Sequence, residues 1–297
     1  MNDAELSRLR REIDAIDDVL HDAIMRRTSL ADQIRLAKGG GAPTFRPARE
    51  IQILRRLADR HEGRFPKTVL VRIWREIISA TLGLQGPFSV AAHAPEDVPA
   101  CNDLAREHFG YATSITAHQS TRAVVHAIGE GAATVGVLPV PEENEPDPWW
   151  PALLAYPRPG PMIVARLPVA PVEETHGQTP EALVIAMIAH EETGNDRGFL
   201  MIRASSGVSR ARLSETLSQA DMQTVGMITR PDDGDPDLTE FLFEVEGFIA
   251  DGDPRLAVLL DSEDLPIEAV EVLGGFAVPF RTADLAAAKA GQGGIGQ

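Results

Sequence analysis

The sequence predicts a multidomain protein: an all-α, dimeric helical bundle, then a small α/β region, then an α+β region of the ferredoxin-like type. Three observations predict this fold class. Apolar residues recur in steps of three and four near the N-terminus, short strands and helices alternate from Phe88 onward, and a β-α-β-β-α-β order begins near Arg197. The predicted boundaries are 1–87, 88–194 and 195–282, with a disordered tail at 283–297.

The first predicted helix runs from about Leu6 to Lys38 and carries an apolar seam with one exception. Seam positions alternate three- and four-residue steps, which is typical of a helix that packs against a helical partner. They are Leu6, Leu9, Ile13, Ile16, Leu20, Ala23, Arg27, Leu30, Ile34 and Ala37. Arg27 is the exception, and a guanidinium on a buried seam is costly unless an anion meets it. The seam therefore predicts an anionic ligand inside a helical bundle.

Two shorter helices follow the glycine-rich run at 39–43. Pro47 is well placed to begin the second, and the third is predicted from about Thr68 to Leu84. Its predicted apolar stripe consists of Leu70, Ile73, Trp74, Ile77 and Ile78. Since two short helices cannot cover a first helix of about 50 Å, its exposed seam predicts a homodimer.

Further polar residues fall on the apolar faces of these helices. Lys38 lies three turns after Arg27 on nearly the same face, Glu50 is on the inward stripe of the second helix, and Thr81 and Gln85 share a side of the third. Arg27 could instead set the register of the helix pair or extend to solvent. Lys38 and Glu50 could complement the helix dipole, and Thr81 and Gln85 could be solvated. Their convergence on one bundle interior favours a binding site.

Arg10 adds a geometric argument. It is 17 residues before Arg27, roughly 25 Å along the same helix, so the two cannot meet around one small ligand. In an antiparallel dimer, Arg10 of one chain could reach the site of the other. A solvated role beside Arg8 and Arg11 is the alternative.

The composition excludes several classes. The formal net charge is −16, but residues 1–90 hold 16 Lys and Arg against 12 Asp and Glu, and the remainder 12 against 32. The acidic body argues against nucleic-acid binding. One cysteine, Cys101, excludes an intramolecular disulfide framework and a cysteine zinc site. Without a signal-like or membrane-spanning apolar run, we expect a cytoplasmic protein that does not bind a membrane.

The elements after residue 87 are predicted from their apolar patterns. FSVAAHA, ATVGVLPV and PMIVARLPVA are predicted strands, and PACNDLAREHFG and PEALVIAMIAHE are predicted helices. In the third region the predicted order is GFLMIRAS, SRARLSETLSQAD, QTVGMITRP, LTEFLFEVEGF, DPRLAVLLDSEDL and AVEVLGGFAVPF. This β-α-β-β-α-β order is that of the ferredoxin-like fold.

The N-terminal segments strongly resemble the all-helical chorismate mutase family. They are LRREIDAIDDVLHDAIMRRTSLADQIRLAK, FRPAREIQILRRL and IWREIISATLGLQ, and they cover about residues 4–86 in order. The resemblance implies a helix-swapped homodimer with two active sites, and neither a metal nor an organic cofactor. It also implies conversion of chorismate to prephenate.

The resemblance assigns roles to the polar residues already singled out. It matches the family's carboxylate-binding arginines to Arg27 and to Arg10 of the partner subunit. It matches the ether-oxygen contacts to Lys38 and Gln85, the hydroxyl-binding acid to Glu50 and the small polar residue to Thr81. We expect Lys38, Gln85, Arg27 and Glu50 to be catalytic. Some members carry charges one turn after the acid, where this chain has Ile53 and Leu54.

The remainder resembles prephenate dehydratase, of the periplasmic-binding-protein-like type, followed by an ACT regulatory domain. The family's opening Gly-Pro-Glu-Gly-Thr-Phe-Ser meets Ala94-Pro95-Glu96-Asp97-Val98-Pro99, and its catalytic Thr-Arg-Phe meets Asp196-Arg197-Gly198-Phe199. About 110 residues separate Phe88 from Phe199, too few for two lobes with a cleft between them. We therefore expect a degenerate, inactive dehydratase-like region.

The ACT-like region offers a candidate effector site. Gly207 fits the glycine before the first helix, and the family's Glu-Ser-Arg-Pro meets Ile228, Thr229, Arg230 and Pro231, without the acid. The resemblance implies phenylalanine as the effector. A domain kept for dimerisation and solubility is the alternative.

The sequence thus predicts a chorismate mutase of phenylalanine and tyrosine biosynthesis, in the shikimate pathway. Two alternatives remain open. One is a bifunctional chorismate mutase/prephenate dehydratase. The other is a non-catalytic dimeric protein that senses an amino acid or binds a partner.

Overall fold

The structure is a computed structural model that describes residues 3–37, 44–96, 100–171, 180–260 and 265–286. Three helices come first: α1 (Asp3–Ala37), α2 (Pro47–Asp59) and α3 (Lys67–Gln85). Pro47 is the first residue of α2, where its missing N–H leaves no intrahelical bond unmade. The three predicted helices are therefore present, and Glu50 falls in the first turn of α2.

Strands and short helices make up the rest of the described chain. In order they are β1 (Ser89–His93), α4 (Ala100–Phe109), β2 (Ser114–His118), α5 (Thr121–Gly129), β3 (Val135–Pro139), a 3₁₀ turn (Trp150–Ala155), β4 (Met162–Leu167), β5 (Ala182–Ala186), β6 (Asp196–Ser205), α6 (Arg210–Gln219), β7 (Thr224–Pro231), β8 (Leu238–Glu246), α7 (Pro254–Leu260), β9 (Ile267–Ala277) and α8 (Thr282–Leu285). The six elements that precede α8, from β6 to β9, have the predicted β-α-β-β-α-β order.

All nine strands belong to one mixed sheet, in the order β2-β1-β3-β5-β4-β9-β6-β8-β7. The four strands β9-β6-β8-β7 pair antiparallel, as in the ferredoxin-like arrangement. They join the α/β part where β4 runs parallel to β9, with Ile163 opposite Gly274. Gly274 has φ +113°, and a Cβ there would lie 2.2 Å from the Ile163 carbonyl oxygen, so this junction requires glycine. The two regions predicted as separate thus share a sheet.

Several local predictions differ from the structure. PEALVIAMIAHE, predicted as a helix, contains the strand β5, whose five residues are all buried. A continuous apolar run bounded by polar residues suits a buried strand as well as a buried helix, and the sheet decides here. The strand β2 and the helix α5 were not predicted from the sequence.

The predicted disordered tail begins inside an ordered element. Helix α8 spans Thr282–Leu285, and Leu285 is buried. It packs in a cluster with Ile51, Leu54, Ala58 and Val71 of α2 and α3. Apolar burial against these helices explains why α8 is ordered. The remaining predicted tail, 287–297, lies outside the described residues.

Helix α1 contrasts with α2, which packs on β4 and β9, and with α3, which packs on α2 and α4. No side chain of α1 is buried. Its seam residues Ile13, Ile16 and Leu20 are 58%, 59% and 55% exposed. In the single chain the apolar seam therefore has little cover. No helix among the described residues is long and apolar enough to span a membrane.

Candidate functional site

An open cavity of about 540 Å³ lies between helices α1, α2 and α3. This lies within the usual volume range of small-molecule sites, about 300–1,000 Å³. Four residues singled out from the sequence line it: Arg27, Glu50, Thr81 and Gln85. The structure thus brings together side chains from three separate helices. The apolar part of the wall comes from Ala23, Leu30, Ala31, Ile34, Ile53, Ile78 and Leu82.

The cavity is strongly cationic. Five arginines line it, against the single carboxylate of Glu50. They are Arg26, Arg27, Arg35, Arg46 and Arg49. Sequence reasoning found only Arg27, because the other four read as ordinary charges of amphipathic helices. In a chain with a formal net charge of −16, this wall makes a local site for an anion.

Arg27 and Glu50 act on each other electrostatically across the cavity. Burial lowers the pKa of Arg27, and the Glu50 carboxylate opposes that shift. Burial also raises the pKa of Glu50, while the charges of Arg75 and Arg27 lower it. Glu50 is 8% exposed, so the carboxylate depends on these cations to stay ionised.

Glu50 is hydrogen-bonded to a buried arginine, Arg75, that was not singled out from the sequence. Arg75 Nη1 donates to Glu50 Oε2 at 3.2 Å, and both side chains are buried. Glu50 Oε1 has no hydrogen-bond partner within the described part of the chain. The sequence did indicate an inward position for Arg75. Steps of four, three and four residues connect Val71, Arg75, Ile78 and Leu82, so Arg75 interrupts an apolar stripe of α3 as Arg27 interrupts that of α1. The side of α3 that is buried carries these residues, whereas Ile73, in the predicted stripe, is exposed.

Thr81 has its hydroxyl proton committed to the backbone. Its Oγ1 donates towards the carbonyl oxygens of Ile77 at 3.1 Å and Ile78 at 2.7 Å. The hydroxyl can therefore offer a ligand only its oxygen as an acceptor, unless the side chain rotates. Gln85, the last residue of α3, is half-buried, and its amide has both donors and an acceptor.

Two predicted mutase-site residues remain, Lys38 and Arg10. Lys38 lies outside the described residues. Arg10 is exposed on α1 and does not line the cavity of its own chain. This placement agrees with the expectation from helix length that Arg10 and Arg27 of one chain stay apart.

The candidate effector residues are only partly together. Thr229 and Arg230 line a second, smaller cavity of about 260 Å³, between β7 and the loop after β3. Gly207 is exposed in the turn before α6 and does not line it. The Thr229 N–H and hydroxyl donate to the Glu143 carboxylate, at 3.2 and 3.0 Å. An internal carboxylate therefore already occupies the donors of Thr229.

The described residues contain no group of three or more His, Cys, Asp or Glu side chains that could hold a metal ion. The one free thiol, Cys101, is buried, and burial raises its pKa to about 11. A thiol with such a pKa is unreactive at neutral pH.

The sequence model of the family described as chorismate mutase type II matches residues 9–86. Every residue that lines the 540 Å³ cavity lies in this range. Helices α2 and α3 lie within it, as does most of α1.

Two curated relatives align with almost half of the chain. The bifunctional chorismate mutase/prephenate dehydratase of Pseudomonas aeruginosa is 32% identical over 147 residues, which is 48% of this chain and 40% of that protein. The protein of the same description from Aquifex aeolicus is 34% identical over 141 residues, 46% of this chain and 39% of that protein. The aligned part thus spans about two fifths of the length of these relatives.

A solved structure, prephenate dehydratase from Streptococcus mutans, superposes with a TM-score of 0.45 and 14% identity. The superposition covers 65% of this chain and 99% of that one.

Proposed function

Since residues 9–86 form a chorismate mutase type II domain, we propose that this chain converts chorismate to prephenate. The observation that carries the proposal is the cationic cavity between α1, α2 and α3, all of whose lining residues lie in the matched range. The reaction is a unimolecular Claisen rearrangement. One ether C–O bond breaks as one C–C bond forms, and no proton is transferred.

The arginines of the cavity bind the two carboxylates of the substrate in this proposal. Arg27 supplies one paired set of hydrogen bonds, since a guanidinium fork matches a carboxylate. Arg10 of the partner subunit supplies another. Holding both carboxylates fixes the flexible enolpyruvyl arm over the ring, which removes much of the entropic barrier.

Negative charge develops on the ether oxygen as the C–O bond breaks. Gln85 donates an amide N–H to this oxygen, and Lys38 donates an ammonium N–H. Donors held in fixed positions stabilise such charge more than mobile water does. Glu50 accepts a hydrogen bond from the substrate hydroxyl through Oε1, the oxygen without a partner among the described residues.

The proposed assembly is a helix-swapped homodimer. The exposed seam of α1, including Ile13, Ile16 and Leu20, supports it, because large apolar surfaces mark association sites. Arg10 also supports it, since this residue would serve no site within its own chain.

We propose further that the dehydratase-like region is inactive. Asp196, at the position of the family's catalytic threonine, is buried and accepts hydrogen bonds from the Thr193 N–H at 2.8 Å, the Thr193 hydroxyl at 2.6 Å and the Gly194 N–H at 3.0 Å. Its carboxylate therefore stabilises the turn formed by residues 193–196. Formation of phenylpyruvate from prephenate would contradict this proposal and favour the bifunctional alternative.

The ACT-like region is proposed as a candidate effector domain for phenylalanine. A ligand carboxylate at Thr229 must first displace Glu143. Calorimetric titration with phenylalanine tests the proposal. Heat that saturates supports an effector site, whereas its absence leaves dimerisation or solubility as the domain's role.

Changing Arg27 to Leu tests the mutase against a non-catalytic role of the bundle. Removal of a partly buried guanidinium should leave the melting temperature unchanged or raise it by a few degrees, equivalent to about 1 kcal/mol. The consumption of chorismate should fall by at least about 100-fold. A variant that loses stability and keeps its turnover would contradict the proposed site and favour a structural bundle.

A further inference from the structure

We propose that Arg75 is a positioning residue of the mutase site: it fixes Oε2 of Glu50 and leaves Oε1 as the acceptor offered to the substrate hydroxyl. This inference rests on the proposed function and extends it to a residue that does not line the main cavity. Arg75 is on α3 and Glu50 on α2, so the pair also joins two walls of the site.

The geometry separates the two oxygens of the carboxylate. Oε2 accepts from Arg75 Nη1 at 3.2 Å, whereas Oε1 is buried without a hydrogen-bond partner among the described residues. A buried, unpaired carboxylate oxygen is unfavourable unless a ligand or a water supplies a donor. Glu50 lines the 540 Å³ cavity and Arg75 does not. Of this pair, therefore, only Glu50 can contact a ligand in that cavity.

A second, water-sized space lies behind the pair. This cavity of about 20 Å³ is lined by Glu50, Arg75, His108 and His190, and a space of that size holds a single water. Arg75 Nη2 and His190 Nε2 also have no hydrogen-bond partner in the described part of the chain. The unpaired Arg75 Nη2 and His190 Nε2 belong to residues that line this space, so a water there would lie beside them.

Arg75 is the cation with the strongest effect on the pKa of Glu50. Among the cations that lower the pKa of Glu50, Arg75 acts more strongly than Arg27. The other charged groups that line the two cavities are Arg26, Arg35, Arg46, Arg49, Arg166 and Glu191. Burial lowers the pKa of both His108 and His190, so they face the carboxylate uncharged at neutral pH. Loss of Arg75 should therefore raise the pKa of Glu50.

A double-mutant cycle separates positioning from a merely structural role. It compares kcat/KM for chorismate in the wild type, Arg75→Gln, Glu50→Gln and the double variant. If Arg75 acts through Glu50, Arg75→Gln should lower kcat/KM by about 10- to 100-fold alone and less than about 3-fold in the Glu50→Gln background. Arg72→Gln, an exposed change three residues earlier on α3, is the matched control and should have no such effect.

The pH profile supplies a readout that a structural role would not move. Glu50 accepts best when ionised, so activity falls as the pH drops through its pKa. In Arg75→Gln this acid limb should shift to higher pH, and Arg75→Lys, which keeps the cation, should restore it. Circular dichroism and thermal unfolding establish that each variant is folded. If Arg75→Gln does not fold, the cycle runs with Arg75→Lys, which keeps the charge but loses the guanidinium geometry. In that variant kcat/KM should fall alone but not in the Glu50→Gln background, while the acid limb stays at its wild-type pH.

The outcomes are distinct. Non-additive losses together with a shifted acid limb support the inference. Additive losses with an unchanged limb would overturn it and leave the proposed function standing. A folded wild-type protein that leaves chorismate untouched would overturn the proposed function, and the inference with it.

Discussion

Arg27 shows how one side chain connects the sequence pattern to the chemistry of the site. It interrupts an apolar seam, lines the cavity, and has its pKa lowered by burial, with Glu50 opposing the shift. A leucine would serve a bundle better at this position, since a desolvated guanidinium needs an anion. In the proposed function, Arg27 occupies this position because the ligand carries negative charge.

Changing Lys38 to Ala tests the proposed main electrostatic catalyst. Loss of a fixed cationic donor to the ether oxygen should lower kcat by about 100- to 1,000-fold, while the dimer stays folded. Initial rates of chorismate consumption and the circular dichroism spectrum measure the two effects. Lys67→Ala, a lysine that does not line the cavity, is the control. Near-normal turnover of Lys38→Ala would remove this residue from the mechanism.

At the scale of elements, α1 is a 35-residue helix with no buried side chain. At 1.5 Å per residue it is about 52 Å long, more than α2 and α3 can cover. Its seam supplies cavity residues at the C-terminal half and exposes Ile13, Ile16 and Leu20 at the N-terminal half. A second copy of the chain would cover the exposed half and bring in its own Arg10.

Changing Ile16 to Glu tests the use of this seam. A charge at the seam centre should dissociate the proposed dimer into monomers and abolish turnover, because burying a carboxylate without a partner is unfavourable. Sedimentation velocity gives the mass. Ala15→Glu places the same charge on another face of α1 and should leave a dimer. A dimer that persists in Ile16→Glu would show that α1 does not form the interface through this seam.

Arg55 connects α2 by hydrogen bonds to the segments just before β6 and just after β9, and Arg55→Ala tests the contribution of these bonds to stability. Its guanidinium donates to Thr193 Oγ1, Asn195 O and Val278 O, each at 2.9 Å. Removing it leaves these acceptors without this donor and should lower the free energy of unfolding by about 1–3 kcal/mol. Urea unfolding measures the change. Arg56→Ala, a change at an exposed neighbour, is the control and should alter the free energy of unfolding by no more than about 0.5 kcal/mol. Equal effects of the two changes would show that the Arg55 hydrogen bonds do not stabilise the fold.

The sequence predicted the elements with strong helical periodicity and missed those decided by distant contacts. Arg27, Glu50, Thr81 and Gln85 stand out as polar residues at inward positions, and all four line the cavity. Arg75 stood at an equally inward position, but its partner comes from a different helix 25 residues earlier. Such a pair is visible only after α2 and α3 are packed together.

Strand pairing was the least predictable feature. The run that forms β5 has no polar alternation, so its period does not distinguish a strand from a helix. The sheet is continuous because β4 pairs with β9, with Ile163 opposite Gly274. Residues so far apart in sequence leave no local signal of their pairing.

In the whole molecule, the acidic body packs against α2, one of the helices that line the cavity. One face of α2 turns Glu50 and Ile53 to the cavity. Ile51, Leu54 and Ala58 pack with Leu285 of α8, and Arg55 reaches the loop before β6. Helix α2, which lines the cavity, therefore also packs against and hydrogen-bonds to the rest of the chain.

To test the proposed function, the purified chain is incubated with chorismate and the products are followed by NMR. Prephenate should appear and accumulate if the bundle catalyses the rearrangement and the dehydratase-like region is inactive. Untouched chorismate would contradict the proposed mutase and favour a non-catalytic bundle, and conversion onward to phenylpyruvate would contradict the proposed inactivity of the dehydratase-like region.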